Sequence, residues 1–91
     1  MNEEFEAIIS GRVQLVMYRD FVQRNAKTFG ITGTVQNMKN GTVCVVAQGT
    51  HEKLEEFLKC FHKGPLLADV KEVSVTWRTP ATIFKRFSIV Y

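Results

Sequence analysis

Apolar residues near the start of the chain follow first a two-residue period and then a helical one. In residues 5–13, apolar side chains recur at every second position, with Gly11 in phase, which predicts a strand with one buried face. The apolar positions of this strand are Phe5, Ala7, Ile9 and Val13. Residues 20–29 then show helical spacing, and Gly30 stands where a left-handed residue commonly ends a helix. The helical apolar positions are Phe21, Val22, Ala26 and Phe29.

The middle of the chain predicts a hairpin followed by a second helix. Two runs rich in β-forming residues, 31–36 and 42–48, are separated by a segment that contains Asn40-Gly41, a pair that tolerates the positive φ angles of tight hairpins. Thr50 can cap the helix that follows, and Gly64-Pro65 can end it. The apolar stripe of this helix consists of Leu54, Phe57, Leu58 and Phe61.

Two further alternating runs, residues 73–77 and 87–91, predict a fourth strand and a short last strand on either side of a turn near Pro80. Their apolar positions are Val73, Val75, Trp77, Phe87, Ile89 and Tyr91. The order βαββαβ with one extra C-terminal strand indicates an α+β sandwich of the ferredoxin-like type. We expect a mainly antiparallel sheet with both helices on one face, formed by a single domain over residues 1–91.

This topology brings two separate turns to one edge of the sheet. A right-handed crossover makes the first two strands parallel, so the turn after the first strand and the hairpin after the second emerge together. Arg19 and Asn37 therefore share an edge. With the third strand inserted between them, the two strand axes lie roughly 9–10 Å apart, enough for a phosphate and a water between two side chains.

Composition favours a small anionic ligand over a polymer. The 91-residue chain has a net charge of +3 and a pI near 9.1, but it lacks the clustered lysine and arginine runs typical of nucleic-acid-binding arms. Cys44 and Cys60 show neither metal-ligand spacing nor disulfide density, and the acidic N-terminus does not resemble a signal peptide, so we expect a cytoplasmic protein. No apolar run is long enough for a membrane span. We expect neither nucleic acid nor membrane as a partner.

Residues 14–19 form the candidate phosphate-binding loop. Where a strand passes directly into a helix, unpaired backbone N–H groups point outward and the helix dipole adds partial positive charge. Arg19 adds a planar fork of donors that suits two oxygens of one phosphate. The loop consists of Gln14, Leu15, Val16, Met17, Tyr18 and Arg19.

The order and spacing of these pieces resemble the acylphosphatase family over nearly the full length of the chain. The matching segments are Gly11-Arg12-Val13-Gln14 with Val16 and Arg19, then Ala26 and Gly30, Gly33-Thr34-Val35-Gln36-Asn37, Gly41-Thr42-Val43, Gln48-Gly49 and Phe87-Ser88-Ile89-Val90-Tyr91. The resemblance implies hydrolysis of small acyl phosphates to a carboxylate and inorganic phosphate, without metal or cofactor. It also implies that Arg19 binds the phosphate and that Asn37 orients the attacking water. We expect the protein to act as a monomer.

Three residues depart from the pattern of the family that the chain resembles. Leu15 stands where the family usually has glycine, Met38 replaces a common threonine, and Tyr18 replaces the usual phenylalanine. Glycine in an anion loop allows positive φ angles or a close backbone approach. Leu15 is therefore the departure that bears most on activity, and the sequence leaves its effect open.

Simpler roles for the same residues remain open at the level of sequence. Arg19 can form an ion pair with the adjacent Asp20, and Asn37 can serve the hairpin turn. His51 and His62 lie outside the apolar stripe with no partner at triad or metal spacing. A non-catalytic anion-sensing module is the alternative to an enzyme. An RNA-binding sheet would need aromatic residues on its strands, and residues 42–48 contain none.

Overall fold

The computed structural model describes residues 2–14 and 16–91, which form five strands and two helices. In chain order these are β1 (Glu3–Arg12), α1 (Tyr18–Phe29), β2 (Thr32–Asn37), β3 (Val43–Gly49), α2 (His51–Lys63), β4 (Asp69–Arg78) and β5 (Phe87–Val90). The strands make one sheet in the order β4-β1-β3-β2-β5, in which only the β2–β5 pair is parallel. The predicted ferredoxin-like α+β architecture is confirmed.

Both helices lie against the same face of the sheet and close one hydrophobic core. Alternate residues of the two central strands point into this core and are fully buried, as the two-residue period predicts. They are Phe5, Ala7, Ile9, Val43, Val45 and Ala47. From α2, the rings of Phe57 and Phe61 pack on Phe5 with centroid distances of 6.3 and 6.0 Å.

The predicted helix boundaries hold to within two residues. Gly30 adopts a left-handed conformation with φ 71°, and its N–H ends α1 on the carbonyls of Ala26 and Lys27. The hydroxyl of Thr50 accepts a hydrogen bond from the Lys53 N–H at 3.3 Å and caps α2. The start of α1 lies at Tyr18, two residues before the predicted start, so the loop between β1 and α1 is shorter than expected.

β4 is longer than its alternating apolar residues predict, because it begins at Asp69 rather than near Val73. Its first residues lie at the edge of the sheet, where β4 has β1 as its single strand partner. Charged side chains, including Lys71 and Glu72, occupy this exposed part of the strand. The alternation of apolar and polar residues that indicates a strand is therefore not visible there. Such charges are typical of edge strands, since they discourage pairing with a further chain.

A bulge at the end of β1 turns the chain towards the loop that follows. The register of β1 against β4 shifts between Ser10 and Gly11, and Gly11 has φ 118°. A Cβ at Gly11 would lie 2.1 Å from the carbonyl oxygen of Asp69, so a side chain cannot be accommodated there. Glycine at this position therefore lets β1 stay paired with β4 up to the start of the loop.

Residues 79–86 cross the sheet from the β4 edge to the β5 edge, at the end away from the β1–α1 loop. Gln48 is buried beneath this crossover: its amide nitrogen donates to the Glu4 carboxylate at 2.7 Å and to the Thr82 carbonyl. The Phe84 N–H donates to the amide oxygen of Gln48 at 3.0 Å. The crossover is thus fixed to the sheet, and β5 returns beside β2 with its C-terminal end at the β1–α1 loop.

Across residues 2–14 and 16–91, no helix has the length and apolar character needed to cross a membrane.

Candidate active site

The β1–α1 loop enters the helix through a left-handed residue. Met17 has φ 62° and ψ 27°, and its carbonyl accepts the first hydrogen bond of the helix from the Phe21 N–H at 3.1 Å. This conformation is uncommon for a residue with a Cβ, and no glycine or asparagine marks it in the sequence. Leu15, which stands where the family usually has a glycine that allows a positive φ angle, lies outside the described residues. The other five residues of the predicted loop are described.

Tyr18 anchors the first turn of α1 in the core. Its side chain is buried, and its hydroxyl donates to the Phe61 carbonyl of α2 at 2.7 Å. Burial raises the pKa of the Tyr18 phenol, so this hydroxyl remains a hydrogen-bond donor at neutral pH. The tyrosine in place of phenylalanine therefore adds a link between the two helices next to the loop.

Gln14 connects the loop to the β2–β3 hairpin through its side chain. The amide nitrogen donates to the carbonyl oxygens of Met38 at 2.8 Å and Thr42 at 2.9 Å. The sequence predicted a role only for the backbone N–H of Gln14. No local pattern indicates this contact, because its partners are 24 and 28 residues away in the chain.

Arg19 lies at the start of α1 and does not form the ion pair with Asp20 that the sequence left open. Asp20 instead pairs with Arg24, one helical turn later, at 3.0 Å. The guanidinium carbon of Arg19 lies 4.9 Å from the centre of the Tyr91 ring, a cation–π distance. The guanidinium is therefore stacked on a ring and makes no ion pair with the described part of the chain.

Asn37 is the last residue of β2, paired with Val43 across the hairpin. Its amide oxygen is buried and has no hydrogen-bond partner among the described residues. The turn itself is held by other groups: Met38 N–H donates to the Thr42 carbonyl at 2.8 Å, and the Asn40 side chain accepts from the Thr42 hydroxyl at 2.7 Å. Asn37 therefore does not serve the turn through this oxygen.

One cavity of about 380 Å³ brings Arg19 and Asn37 together. Its lining residues are Val13, Met17, Tyr18, Arg19, Asp20, Asn37, Ile89 and Tyr91. Gln14 and Val16 belong to the predicted loop but do not line the cavity. Ile89 and Tyr91 were predicted as strand residues only; their place in the site depends on the parallel β2–β5 pair, for which the sequence carries no local signal.

The residues that line the cavity provide three chemical features: a planar cation, the N-terminal end of a helix, and an acceptor without a hydrogen-bond partner among the described residues. The first two suit an anion with several oxygens, and the third suits a small donor such as water. The described residues that line the cavity include no histidine or cysteine. In residues 2–14 and 16–91, no three histidine, cysteine or acidic side chains lie together in a way that could hold a metal ion.

His51 lies at the opposite end of the sheet and has two carboxylate partners that the sequence did not indicate. Its Nδ1 is 2.8 Å from the Glu3 carboxylate and its Nε2 is 3.4 Å from Glu55. Its ring also stacks on Trp77 at a centroid distance of 4.8 Å. The hydrogen bond to Glu3 raises the pKa of His51. Glu3 and Trp77 come from distant parts of the chain, which is why spacing could not reveal the group.

Neither cysteine has the environment of a nucleophile. Burial raises the pKa of the Cys44 thiol, and the neighbouring Glu6 carboxylate at 3.9 Å adds to this effect. Burial also raises the pKa of the Cys60 thiol on α2. Both thiols therefore stay protonated at neutral pH.

Comparisons with known proteins agree with this fold. A family model described as Acylphosphatase matches residues 5–89. An acylphosphatase of Dehalococcoides mccartyi is 40% identical over 87 residues, which cover 94% of this chain and 96% of that protein. An acylphosphatase of Thermus thermophilus is 46% identical over 71 residues, covering 78% and 81% of the two chains.

A solved structure extends the likeness to three dimensions. The crystal structure of acylphosphatase from Bacillus subtilis is 35% identical to this chain, with a TM-score of 0.95 over the whole of both chains. The resemblance seen in the sequence is confirmed. The chain belongs to the acylphosphatase family.

Proposed function

We propose that this chain hydrolyses small acyl phosphates to a carboxylate and inorganic phosphate, with Arg19 holding the phosphoryl group and Asn37 holding the attacking water. Membership of the family supports the reaction. The observation that carries the assignment of residues is that Asn37, whose amide oxygen is buried without a partner among the described residues, lines the same cavity as Arg19. No metal or cofactor is needed for either role.

The phosphoryl group would bind between the Arg19 guanidinium and the start of α1. A guanidinium can donate two parallel hydrogen bonds to two oxygens of one phosphoryl group. Backbone N–H groups of the described loop residues and of the first helical turn would supply further donors, together with the positive end of the helix dipole. These groups stabilise the charge that spreads over the phosphoryl oxygens in a loose transition state.

The water would bind to the amide oxygen of Asn37. A buried acceptor without a partner costs roughly 1–3 kcal/mol, which a hydrogen bond donated by a bound water removes. An amide oxygen is a poor base, so Asn37 orients the water rather than deprotonating it. A single positioned contact of this kind suffices, because holding the reactants in line supplies much of the rate enhancement in phosphoryl transfer.

The bond changes follow from the quality of the leaving group. The water oxygen forms a bond to phosphorus while the bond from phosphorus to the acyl oxygen breaks, and the electron pair leaves with the carboxylate. The water proton passes to a non-bridging phosphoryl oxygen. A carboxylate leaves without protonation, so the site needs no general acid, in agreement with a cavity that has no histidine among its described residues.

Three further expectations complete the proposal. We expect the enzyme to act as a monomer. The two free thiols fit the reducing cytoplasm. On the sheet face opposite the helices, β1 and β3 carry Glu4 and Glu6 and the amide of Gln48, which suit neither base stacking nor phosphate binding, so we expect no nucleic-acid partner.

Hydrolysis of benzoyl phosphate in H₂¹⁸O tests the proposal directly. Attack by the Asn37-bound water at phosphorus places the label in inorganic phosphate and none in benzoate. Label in benzoate would mean attack at the carbonyl carbon and would contradict the roles given to Arg19 and Asn37. Phosphate binding without turnover would instead favour the anion-sensing module that the sequence left open.

A further inference from the structure

The cavity has an apolar side that the roles of Arg19 and Asn37 do not use. This side is formed by Val13, Met17, Ile89 and Tyr91. We propose that Met17, Ile89 and Tyr91 bind the acyl group of the substrate, and that the site prefers apolar acyl groups, such as an aryl carbonyl, over acyl groups that carry a second anion. The inference rests on the proposed function and extends it to the substrate class.

Packing in the hydrophobic core does not explain why Met17 and Tyr91 are large apolar side chains. Met17 is 69% exposed and Tyr91 is 92% exposed, and neither belongs to the buried core or to the apolar residues packed against it. Ile89, by contrast, is half-buried against the core and forms the inner part of the same wall. Two large apolar side chains thus stand in solvent on opposite elements of one cavity, where an apolar ligand can cover both.

The backbone conformation does not explain why methionine occupies position 17 either. At φ 62° a residue with a Cβ is disfavoured, and glycine or asparagine would adopt this conformation more readily. A methionine at this position makes physical sense if its side chain contributes to binding. Its flexible thioether suits acyl groups of somewhat different shape.

The position of the Tyr91 ring matches the connectivity of an acyl phosphate. The carbonyl carbon is separated from phosphorus by one oxygen, so an acyl group begins beside the cation that holds the phosphoryl group. The Tyr91 ring already lies 4.9 Å from the guanidinium carbon of Arg19. An aryl group in this place can stack on the tyrosine or meet its edge. A cavity of about 380 Å³ lies at the small end of the roughly 300–1,000 Å³ typical of ligand pockets, which favours a compact acyl group.

Charge in the cavity disfavours a second anion on the acyl group. The described residues that line it include one cation, Arg19, and one anion, Asp20. Arg19 is occupied by the phosphoryl group. Asp20 lines the cavity, and its carboxylate pairs with Arg24 on the next helical turn at 3.0 Å. A carboxylate or second phosphate on the acyl group would therefore meet an acidic residue and an apolar wall, with no further cation in the described lining.

The test compares kcat/KM for benzoyl phosphate, para-carboxybenzoyl phosphate and acetyl phosphate. The unmodified protein should prefer benzoyl phosphate to its carboxylated analogue. Met17→Asn keeps a residue that tolerates the left-handed backbone, and Tyr91→Ser removes the exposed ring. Each variant should lower the benzoyl-to-acetyl preference about 3–10-fold, less than the roughly 10–200-fold that a methylene is worth in a closed pocket, because this cavity is open.

Leu66→Ser is the matched control, because Leu66 is a 97% exposed leucine that does not line the cavity. It should leave both the rates and the preference unchanged. An unaltered preference in both Met17→Asn and Tyr91→Ser would overturn the inference, as would equal use of the carboxylated substrate by the unmodified protein. Comparing the benzoyl-to-acetyl preference between variants cancels the intrinsic reactivity of each substrate. Failure of the unmodified protein to hydrolyse any acyl phosphate would instead overturn the proposed function, and this inference with it.

Discussion

The state of a single atom in Asn37 favours a functional role for this residue over a structural one. An asparagine at the entrance to a hairpin ordinarily supports the turn. Here Asn40 and the Met38 backbone hold the turn, and the amide oxygen of Asn37 is buried without a partner among the described residues. Leaving an acceptor in this state is unfavourable for folding, so its retention points to a ligand that supplies the missing donor.

Asn37→Ala should lower kcat for benzoyl phosphate on the order of 10²–10³, the usual effect of removing one preorganised polar contact. Competitive inhibition by inorganic phosphate should survive, because Asn37 contacts the water more than the anion. Stability should hold or rise slightly, since an unpartnered acceptor is removed. Steady-state kinetics and urea unfolding give the three values.

Asn40→Ala is the control for Asn37→Ala. It removes the side chain that accepts from the Thr42 hydroxyl at 2.7 Å, so it should reduce stability while the rate is kept. A normal kcat in Asn37→Ala would show that Asn37 has no part in the reaction. An equal loss of phosphate affinity would place Asn37 among the phosphate ligands.

Arg19→Lys should weaken both kcat/KM and phosphate inhibition at least about tenfold, although the charge is kept. Lysine cannot form the two parallel hydrogen bonds, and one hydrogen bond to a charged group is worth roughly 1.5–3 kcal/mol. Lysine also lacks the planar group that stacks on Tyr91. Arg24→Lys, on the same helix, should change little. Near-normal kinetics in Arg19→Lys would refute bidentate binding.

At the scale of single residues, the sequence indicates the candidate site residues. It does not indicate their hydrogen-bond partners or their backbone conformation. Arg19 and Asn37 could be named because they belong to a spaced set of segments shared with a family. The unpartnered oxygen depends on how the hairpin closes, and the left-handed Met17 depends on the chain on either side of it. Leu15, where glycine is usual, lies outside the described residues, and its effect on activity stays a prediction.

The elements that carry Arg19 and Asn37 are held together by one side chain. Gln14 follows β1, and its amide donates to two carbonyls of the β2–β3 hairpin. Because Arg19 follows the same loop and Asn37 precedes the same hairpin, these two bonds fix the distance between the proposed phosphate and water sites. Gln14 thus acts as a positioning residue.

Gln14→Ala should lower stability by about 1–3 kcal/mol, because it removes two hydrogen bonds of about 0.5–1.5 kcal/mol each. It should also lower kcat more than it weakens phosphate inhibition, since Arg19 keeps its own contacts while Asn37 moves relative to it. Urea unfolding and steady-state kinetics measure the two effects. A loss of stability with kcat unchanged would restrict Gln14 to a structural role.

Elements with a strong local period could be predicted closely, and those shaped by distant partners could not. The Leu54, Phe57 and Phe61 stripe and the glycine at the end of α1 give their helices within two residues. The charged start of β4 was not predicted from the sequence. Few side chains in this part of the exposed edge strand are buried, so its residues do not alternate between apolar and polar. The Gln14 bonds join residues far apart in the chain, so no window of sequence contains both ends.

The whole molecule has two ends with different chemistry. One end holds the cavity, and the other holds polar groups that tie distant segments together: Gln48 beneath the crossover, and His51 between Glu3 and Glu55. The His51 group joins β1 to α2 and rests on Trp77 of β4. Its protonation state therefore affects the stability of the domain without touching the reaction.

Stability should decline with rising pH through the titration of His51. The hydrogen bond to Glu3 raises the pKa of His51 in the folded state above the ordinary value of about 6.5. A raised pKa means that the folded state holds the proton more tightly than the unfolded state. The added stability is present below about pH 6.5 and is lost as the pH rises through the folded-state pKa.

Melting temperatures of the unmodified protein and of His51→Gln test this expectation. They are measured at about pH 5.5 and about pH 8.5, on either side of the ordinary histidine pKa of about 6.5. The unmodified protein should have the higher Tm at the lower pH, and the gap should shrink at the higher pH. His62→Gln, a control on the same helix, should keep the pH dependence of the unmodified protein. A gap that is constant or grows with pH would contradict the stabilising role of protonated His51.

The overall arrangement was predictable where a general rule of chain connection applies. The right-handed crossover rule placed Arg19 and Asn37 at one edge, and the cavity confirms that they meet. No comparable rule places β5, because its position depends on the path of residues 79–86 over the sheet. The contribution of Ile89 and Tyr91 to the cavity could therefore be known only from the structure.

The order of strands in the sheet has a consequence for synthesis on the ribosome. β1 is made first but lies between β3 and β4, so one side of it stays unpaired until residues 69–78 have emerged. β5, made last, adds Ile89 and Tyr91 to a cavity whose other side was translated some seventy residues earlier. A nascent chain that already carries Arg19 and Asn37 therefore lacks part of the cavity lining until β5 has been made.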